Sequence, residues 1–237
     1  MKLNIKILLG IIYIICFSIL IFTVFSYVDL KDLTNFTFIQ EHKASLDSYK
    51  NNNQVLLLSI FFIFSTIWVL LLGFGSPLAL LGGFIFGKWI GTLISVISFS
   101  VGSLLLYSLA NLFLKDLIKE KLSWRINKFR DLFNKNELLY FTLFRFTGGG
   151  GIPFGIQNVL PVIFNMKSKN YFFATFLGLI PSVFIISSLG SGFEKYISDK
   201  QTIIWSEILF EQEIYLPIIG FIIFCILTYF LKRKFFK

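Results

Sequence analysis

Residues 145–161 have the sequence RFTGGGGIPFGIQNVLP and lie in a chain that is otherwise strongly apolar. The stretch places an arginine, four consecutive glycines and two prolines where the flanking composition predicts helix inside a membrane. Glycine and proline are the poorest residues for a helix interior, and an unpaired charge is costly in hydrocarbon. The stretch therefore predicts a break in a helix. Such a break must lie inside protein or line a wet cavity, because exposed backbone groups are not tolerated by lipid.

The composition of the whole chain predicts an all-α polytopic membrane protein. Hydrophobic residues make up 56% of the 237 residues and charged residues only 15%, which excludes a soluble domain. Apolar runs of about twenty residues, the length that spans a bilayer, recur along the chain. The first, residues 7–28, is too long for a secretory signal and lacks a small-residue cleavage pattern. Residues 7–28 and 214–231 are predicted to be the N- and C-terminal transmembrane helices.

The charges of the connecting segments predict the topology. Residues 115–137 contain seven Lys or Arg, whereas residues 191–213 contain two Lys and five acids, and residues 29–53 contain three Lys and four acids. Basic loops stay in the cytoplasm. The N-terminus, the linker 115–137 and the C-terminus are therefore predicted to be cytoplasmic, and the two acidic loops external.

The apolar residues 54–114 must then start outside and end inside, although they are too long for one crossing. Ser76 is a plausible N-cap and Pro77 a plausible first helical residue. The apolar run that follows is too short to cross. The sequence therefore predicts a re-entrant hairpin over 54–88 and a full span over 89–114.

Residues 138–190 repeat this plan in the opposite orientation. The glycines break the first arm, Pro153 opens a half-helix, a hairpin covers 138–167, and residues 170–190 cross the membrane. Two oppositely oriented hairpins, each followed by a span, form an inverted repeat of the kind found in transporters. The predicted organisation is residues 1–53, a repeat domain over 54–192, and residues 193–237.

The interior of the two repeats is predicted to be electropositive. All thirteen acidic residues lie outside 54–114 and 138–190, and Arg145 is the one ionisable residue at depth, with Lys88 nearer an interface. Helix N-termini favour anions, and glycines let backbone approach a ligand closely. A phosphate or other small anion would suit this site, whose candidate residues are Arg145, Gly148, Gly149, Gly150, Gly151, Pro153, Phe154, Gln157 and Asn158.

Structural interpretations of the same residues stay open. Arg145 would also serve as an anchor, if its side chain reaches the lipid head groups. The glycines of the break would also let two hairpin arms pack, and close packing is the preferred interpretation of Gly82, Gly83, Gly87 and Gly91. No carboxylate pair, Cys–His or Ser–His set and no metal-ligand spacing is present, so neither an enzyme nor a cofactor or metal is predicted.

Two segments resemble the signatures of the DedA superfamily, also called the VTT or SNARE-associated Golgi protein domain. The first is SPLALLGGFIFGKWIGTLISVISFSVGSLLLYSLAN, which begins at Ser76 and includes Gly102. The second is RFTGGGGIPFGIQNVLPVIFNM followed by FLGLIPSVFIISSLG. Matching positions there are Arg145, Pro153, Phe154, Asn158, Gly178 and Pro181.

Three departures accompany this resemblance. The glycine run replaces the first proline of the second signature, Asn111 stands where an arginine is common, and the first hairpin lacks the acids of DedA proper. The chain is therefore more similar to the simpler VTT branch, and proton coupling is not expected.

The resemblance implies movement of phospholipids or polyprenyl-phosphate carriers between the leaflets of a cell inner membrane. Membrane lipids are then the expected partners, nucleic acid is not, and a homo-oligomer stays open. Two alternatives are a transporter of a small anionic solute and a protein that organises the membrane without transport.

Overall fold

The computed structural model describes residues 36–113, 115–116, 133, 135–199 and 205–235, together with residues 15, 18 and 19. The predicted first transmembrane helix and most of the basic linker lie outside the described residues.

The described residues are helical, with no strand among them. Two 3₁₀ segments, Gly148–Gly151 and Leu160–Phe164, lie before and after the short helix Phe154–Val159. The helices are α1 (Phe36–Leu70), α2 (Gly75–Phe113), α3 (Glu137–Phe146), α4 (Phe154–Val159), α5 (Ser168–Asp199), α6 (Trp205–Ile208) and α7 (Gln212–Phe235).

Four of the described helices are long and apolar enough to cross a membrane. The candidate spans are Asn52–Leu70, Gly75–Phe113, Ser168–Ser198 and Gln212–Leu231. The protein is therefore a multi-pass membrane protein, as its composition predicts. The re-entrant paths and the inverted repeat stay predictions.

The first apolar segment is interrupted twice. The chain turns between α1 and α2, where Trp68 Nε1 donates to the Phe74 carbonyl at 3.0 Å and Leu72 has φ 63°. Helix α2 then begins at Gly75, one residue before the predicted cap at Ser76. Its second interruption is Gly87, with φ 78° and ψ 169°, a conformation that favours glycine. This interruption lies next to the predicted boundary between the hairpin 54–88 and the span 89–114, which stays a prediction.

The N-terminal part of α1 differs from the expectation. Residues 36–52 are helical, although the polar composition of 29–53 predicts a loop, and Asn53 (φ −137°, ψ 38°) separates them from the apolar part. Helix α5 also extends beyond the predicted 170–190 at both ends and includes Pro181. Polar residues extend these helices beyond their apolar runs. A prediction based on hydropathy alone therefore makes the helices too short.

The two parts of α2 fold back on each other around Gly87. An added Cβ at Gly91 would overlap the Gly82 carbonyl, and one at Gly75 would lie 3.0 Å from the Phe99 ring. These close approaches agree with the packing interpretation of Gly82 and Gly91. They do not extend to Gly87, where an added Cβ would meet no atom of the described residues within 4 Å. Gly87 serves the fold through its backbone conformation.

Small residues also set the contacts of α2 with α1 and α5. An added Cβ at Gly102 would lie 2.6 Å from the Thr66 carbonyl, and one at Gly83 would overlap the Ser187 backbone. Ser187 Oγ donates to the Ala79 carbonyl at 3.0 Å across the same contact. Two predicted packing glycines, Gly83 and Gly102, are thus at helix crossings.

The two interrupted regions meet at their tips. An added Cβ at Gly155 in α4 would lie 2.7 Å from Leu72 Cδ2 in the α1–α2 turn. Phe154 packs against the buried cluster of Val69, Leu78 and Phe99 from the first half of the chain. This contact packs α4 against the first half of the chain.

Candidate functional site

Arg145 lies in the last turn of α3 and is only 2% exposed. The helix is started by Asn136, whose side chain accepts from the Leu139 N–H at 3.0 Å. An added Cβ at Gly178 of α5 would lie 2.5 Å from Arg145 Cβ, so α5 passes directly over this turn. The arginine side chain is therefore enclosed by protein and does not extend to the surface as an anchoring residue would.

Three neutral oxygens accept hydrogen bonds from the guanidinium. Nη1 donates to Gln157 Oε1 at 3.2 Å, and Nη2 donates to Asn158 Oδ1 at 2.5 Å and to Tyr171 Oη at 3.0 Å. The Tyr171 hydroxyl in turn donates to the Asn158 carbonyl at 3.2 Å. Arg145 thus joins α3, α4 and α5. We call these four side chains the Arg145 site.

Aromatic rings surround the remaining faces of the guanidinium. Its carbon lies 5.0 Å from the ring centroid of Phe141, 5.2 Å from that of Phe154 and 5.9 Å from that of Tyr171. Such contacts stabilise a cation through the negative face of each ring. Tyr171 also stacks on Tyr107, with centroids 4.7 Å apart. These rings hold the charge away from hydrocarbon.

No carboxylate among the described residues forms an ion pair with Arg145. Two polar atoms of the site, Arg145 Nε and Asn158 Nδ2, are buried without a hydrogen-bond partner. Leaving a buried donor unpaired costs about 1–3 kcal/mol, and more for a charged group. The site therefore holds a positive charge that neutral groups solvate without cancelling.

The backbone around the glycine turn holds the Gln157 side chain through hydrogen bonds. Gln157 Nε2 donates to the carbonyls of Gly148 at 3.3 Å and Ile152 at 2.6 Å. Gly149 has φ 67°, and an added Cβ there would overlap the Gln157 amide. The sequence suggested that Gly149 lets a ligand approach the backbone closely. In the structure the group that approaches it is the Gln157 amide of the protein itself.

The other glycines of the turn have a different environment. Gly148 (φ 68°) and Gly151 (φ 86°) are exposed, and an added Cβ at either would meet no atom within 4 Å. Gly150 lies between them in the 3₁₀ segment. Pro153 is the N-cap of α4, and its carbonyl accepts from the Gln157 N–H at 3.0 Å.

The structure thus brings Arg145, Gly149, Phe154, Gln157 and Asn158 together, with Gly178 directly behind them. The remaining motif residues have structural positions: Ser76 and Pro77 lie in the first turn of α2, and Pro181 lies inside α5. Sequence reasoning missed Tyr171. A buried tyrosine hydroxyl requires a partner, so a tyrosine at the start of an otherwise apolar span was the available signal.

A metal site is not found in the part of the chain that the structure describes. No group of three or more His, Cys, Asp or Glu residues there is arranged to hold an ion. The Arg145 site has a net positive charge, because its charged group is a cation and its other polar groups are neutral.

Together, the interrupted helices and the enclosed arginine define a polytopic α-helical membrane protein with a charged centre. The family model of the VTT domain matches residues 74–192, which is half of the chain and includes α2 to α5 almost completely. The chain belongs to the VTT domain family, within the DedA superfamily.

One similar curated protein is the Transmembrane protein 41 homolog of Caenorhabditis elegans. It is 25% identical over 209 residues, which cover 81% of this chain and 83% of that protein. No solved structure gives a significant match.

Proposed function

We propose that this protein equilibrates phospholipids or polyprenyl-phosphate carriers between the two leaflets of a cell inner membrane, and that Arg145 attracts the lipid phosphate as it passes. The observation that carries the proposal is the buried guanidinium, which is hydrogen-bonded to three neutral oxygens and to no carboxylate among the described residues.

The charge of Arg145 is available to an anion because its present partners are neutral. A carboxylate would cancel the positive potential, whereas amide and hydroxyl oxygens only solvate it. A phosphate offers two oxygens to the planar guanidinium fork, and charge-assisted hydrogen bonds are roughly twice as strong as neutral ones. A phosphate that reached the site would therefore displace Tyr171 Oη or an amide oxygen with a gain in hydrogen-bond strength.

Access to Arg145 requires a movement of the chain, since the guanidinium is enclosed in this structure. The element best suited to move is α4, a helix of only six residues between the glycine turn and a 3₁₀ segment. Gly148 and Gly151 lie exposed at the start of this element. We place the route of the head group on this side of α4.

Leaflet exchange in vesicles tests the proposal. The purified protein is reconstituted with a head-group-labelled fluorescent phospholipid, and dithionite reports the fraction of label that reaches the outer leaflet. Wild-type protein should expose the inner-leaflet label, and Arg145→Ala should reduce the exchange rate to that of empty vesicles. Arg145→Lys should also impair exchange, because lysine keeps the charge but lacks the bidentate fork.

Insertion and solute controls make the result specific. Each variant must reconstitute at the wild-type level, with unchanged gel-filtration behaviour. Efflux of trapped inorganic phosphate without lipid exchange would assign the Arg145 site to a small anionic solute instead. A fully active Arg145→Ala variant would contradict the proposed role of this arginine.

A further inference from the structure

A cleft between α5 and α7 lies apart from the Arg145 site and shares no residue with it. Its volume is about 400 Å³. The C-terminal part of α5 meets the start of α7 there, since an added Cβ at Gly192 would overlap the Glu213 carbonyl. The cleft thus opens at one end of two candidate spans, where a membrane surface would lie.

The end of the cleft nearest this surface is polar and contains one cation and one carboxylate. Lys88, Ser191, Gln212 and Glu213 line it. Glu213 Oε1 accepts from Lys195 Nζ, so its carboxylate is already paired. Lys88 is exposed and forms no ion pair with another described residue. Lys88 also attracts the Glu213 carboxylate electrostatically. A zwitterionic head group, with its phosphate toward Lys88, therefore suits this end of the cleft.

The other end of the cleft is apolar and open along its length. Phe184, Leu216, Pro217 and Gly220 line it. An added Cβ at Gly220 would meet no atom within 4 Å among the described residues, so this part of the groove is unfilled. The walls therefore change from charged to apolar with depth, in the order in which a phospholipid changes from phosphate to acyl chain.

An exposed tryptophan, Trp89, lies beside Lys88 in the sequence. Trp89 is 70% exposed, and its ring lies 5.1 Å from that of Phe184. Tryptophan is enriched at the head-group level of bilayers, where one edge is wet and the body is apolar. Its ring packs on Phe184 of the apolar part, while the adjacent Lys88 lines the polar part, so Trp89 lies at the transition between the two.

We propose that this cleft binds a glycerophospholipid, with the phosphodiester at Lys88 and an acyl chain in the groove along Leu216 and Gly220. The inference rests on the proposed function for its ligand class, and it adds a surface site where a lipid is held outside the Arg145 site. It does not depend on transport taking place.

Photo-crosslinking from the groove tests this site directly. The full chain carries p-benzoylphenylalanine in place of Leu216, which lines the cleft, or of Ile219, a matched control that does not line it. The two side chains are similarly exposed, at 49% and 46%. In vesicles of phosphatidylethanolamine and phosphatidylglycerol, mass spectrometry should find a several-fold higher yield of lipid adduct from position 216.

Two further substitutions separate the groove from the head-group contact. Gly220→Leu places a side chain in open space, so the protein should fold while the adduct from position 216 falls to the level of position 219. Lys88→Gln should lower the yield about two- to fivefold, the effect of an exposed ionic contact. Arg145→Ala should leave the yield unchanged.

The identity of the adduct decides against other occupants. A crosslink from position 216 to a peptide of residues 7–28, or to a second copy of the chain, would overturn the proposal. Equal lipid yields at positions 216 and 219 would also overturn it. If the wild-type protein exchanged no lipid while the adduct depended on Gly220 and Lys88, only the proposed function would fail. If the adduct were absent while Arg145 variants lost exchange, only the surface site would fail.

Discussion

Arg145 Nη2 donates to Asn158 Oδ1 at 2.5 Å, and this bond joins α3 to α4 across the glycine turn. Both residues are almost completely buried, and neither contacts a carboxylate among the described residues. The positive charge of Arg145 is thus held inside the protein by a neutral amide, which does not neutralise it.

Asn158→Asp should stop lipid exchange while the protein stays folded. A carboxylate at this position would neutralise Arg145 through a short charge-assisted bond, and it would remove the unpaired Nδ2 donor. We expect the exchange rate to fall about tenfold or more, since one lost phosphate contact to a charged group is worth about 1.5–3 kcal/mol. The melting temperature in detergent should not fall. Wild-type exchange by this variant would show that the net charge of the site is unimportant.

Asn158→Leu provides the matched comparison, because it removes the same amide without adding charge. Arg145 then loses its shortest acceptor, so the free energy of unfolding should fall by about 1.5–3 kcal/mol. Thermal unfolding in detergent measures the difference between the two variants. A Leu variant as stable as the Asp variant would contradict the assigned hydrogen bond.

Gly149→Ala should destabilise the protein more than Gly148→Ala. Both glycines have φ near 67°, so an alanine costs about 1–2 kcal/mol of backbone strain at either position. Only the Cβ at position 149 would overlap Gln157, which adds about 1–3 kcal/mol of overpacking. Thermal unfolding of the two variants in the same detergent measures which one is less stable. Equal losses of stability would show that Gln157 moves away from the new Cβ at no energetic cost.

Gly83→Ala should disrupt the crossing of α2 and α5. Its Cβ would overlap the Ser187 backbone, which cannot rotate away, and the bond from Ser187 Oγ to the Ala79 carbonyl would be lost. We expect a loss of about 1–3 kcal/mol or more. Gly220→Ala is the control, because it meets open space and alanine improves helix propensity by about 1 kcal/mol. The yield of monodisperse protein should fall for the first variant and stay for the second.

Single cysteines should report the topology predicted from loop charge. In a background without the two native cysteines, positions 50 and 200 should react with an impermeant maleimide in intact cells. Positions 130 and 169 should react only after permeabilisation, since both lie in segments that are predicted to be cytoplasmic. Labelling of position 130 in intact cells would invert the assignment.

Lipid exchange should not require a proton gradient. No Asp or Glu lies within residues 54–114 or 138–190, so no carboxylate in either repeat is available to couple protons. In vesicles that contain only this protein, the exchange rate should be the same with and without an uncoupler. A rate that collapses on addition of the uncoupler would place a proton-carrying group in the transport path.

Much of the architecture followed from local features of the chain. Long apolar runs predict membrane helices because burial in lipid depends on the composition of each segment. The break at Gly148–Gly151 was predictable because repeated glycine disfavours helix through the backbone of those residues alone. Arg145 was identifiable as the deep charge by simple inspection. The predicted packing at Gly87 is not accompanied by a close approach among the described residues. A sequence does not distinguish a glycine that permits a contact from one that permits a turn.

The tertiary structure decided which groups surround that charge. Composition left Arg145 free either to reach the head groups or to face an interior site, since its long side chain permits both. The crossing of α5 over α3 at Gly178 encloses it and brings Tyr171 to it from 26 residues away in the sequence. Helix crossings depend on side-chain shape along whole helices, which hydropathy does not encode. The sequence by itself therefore determined that Arg145 is the deep cation of the apolar residues 54–114 and 138–190. The packing of α3, α4 and α5 determined that neutral oxygens and aromatic rings are its partners.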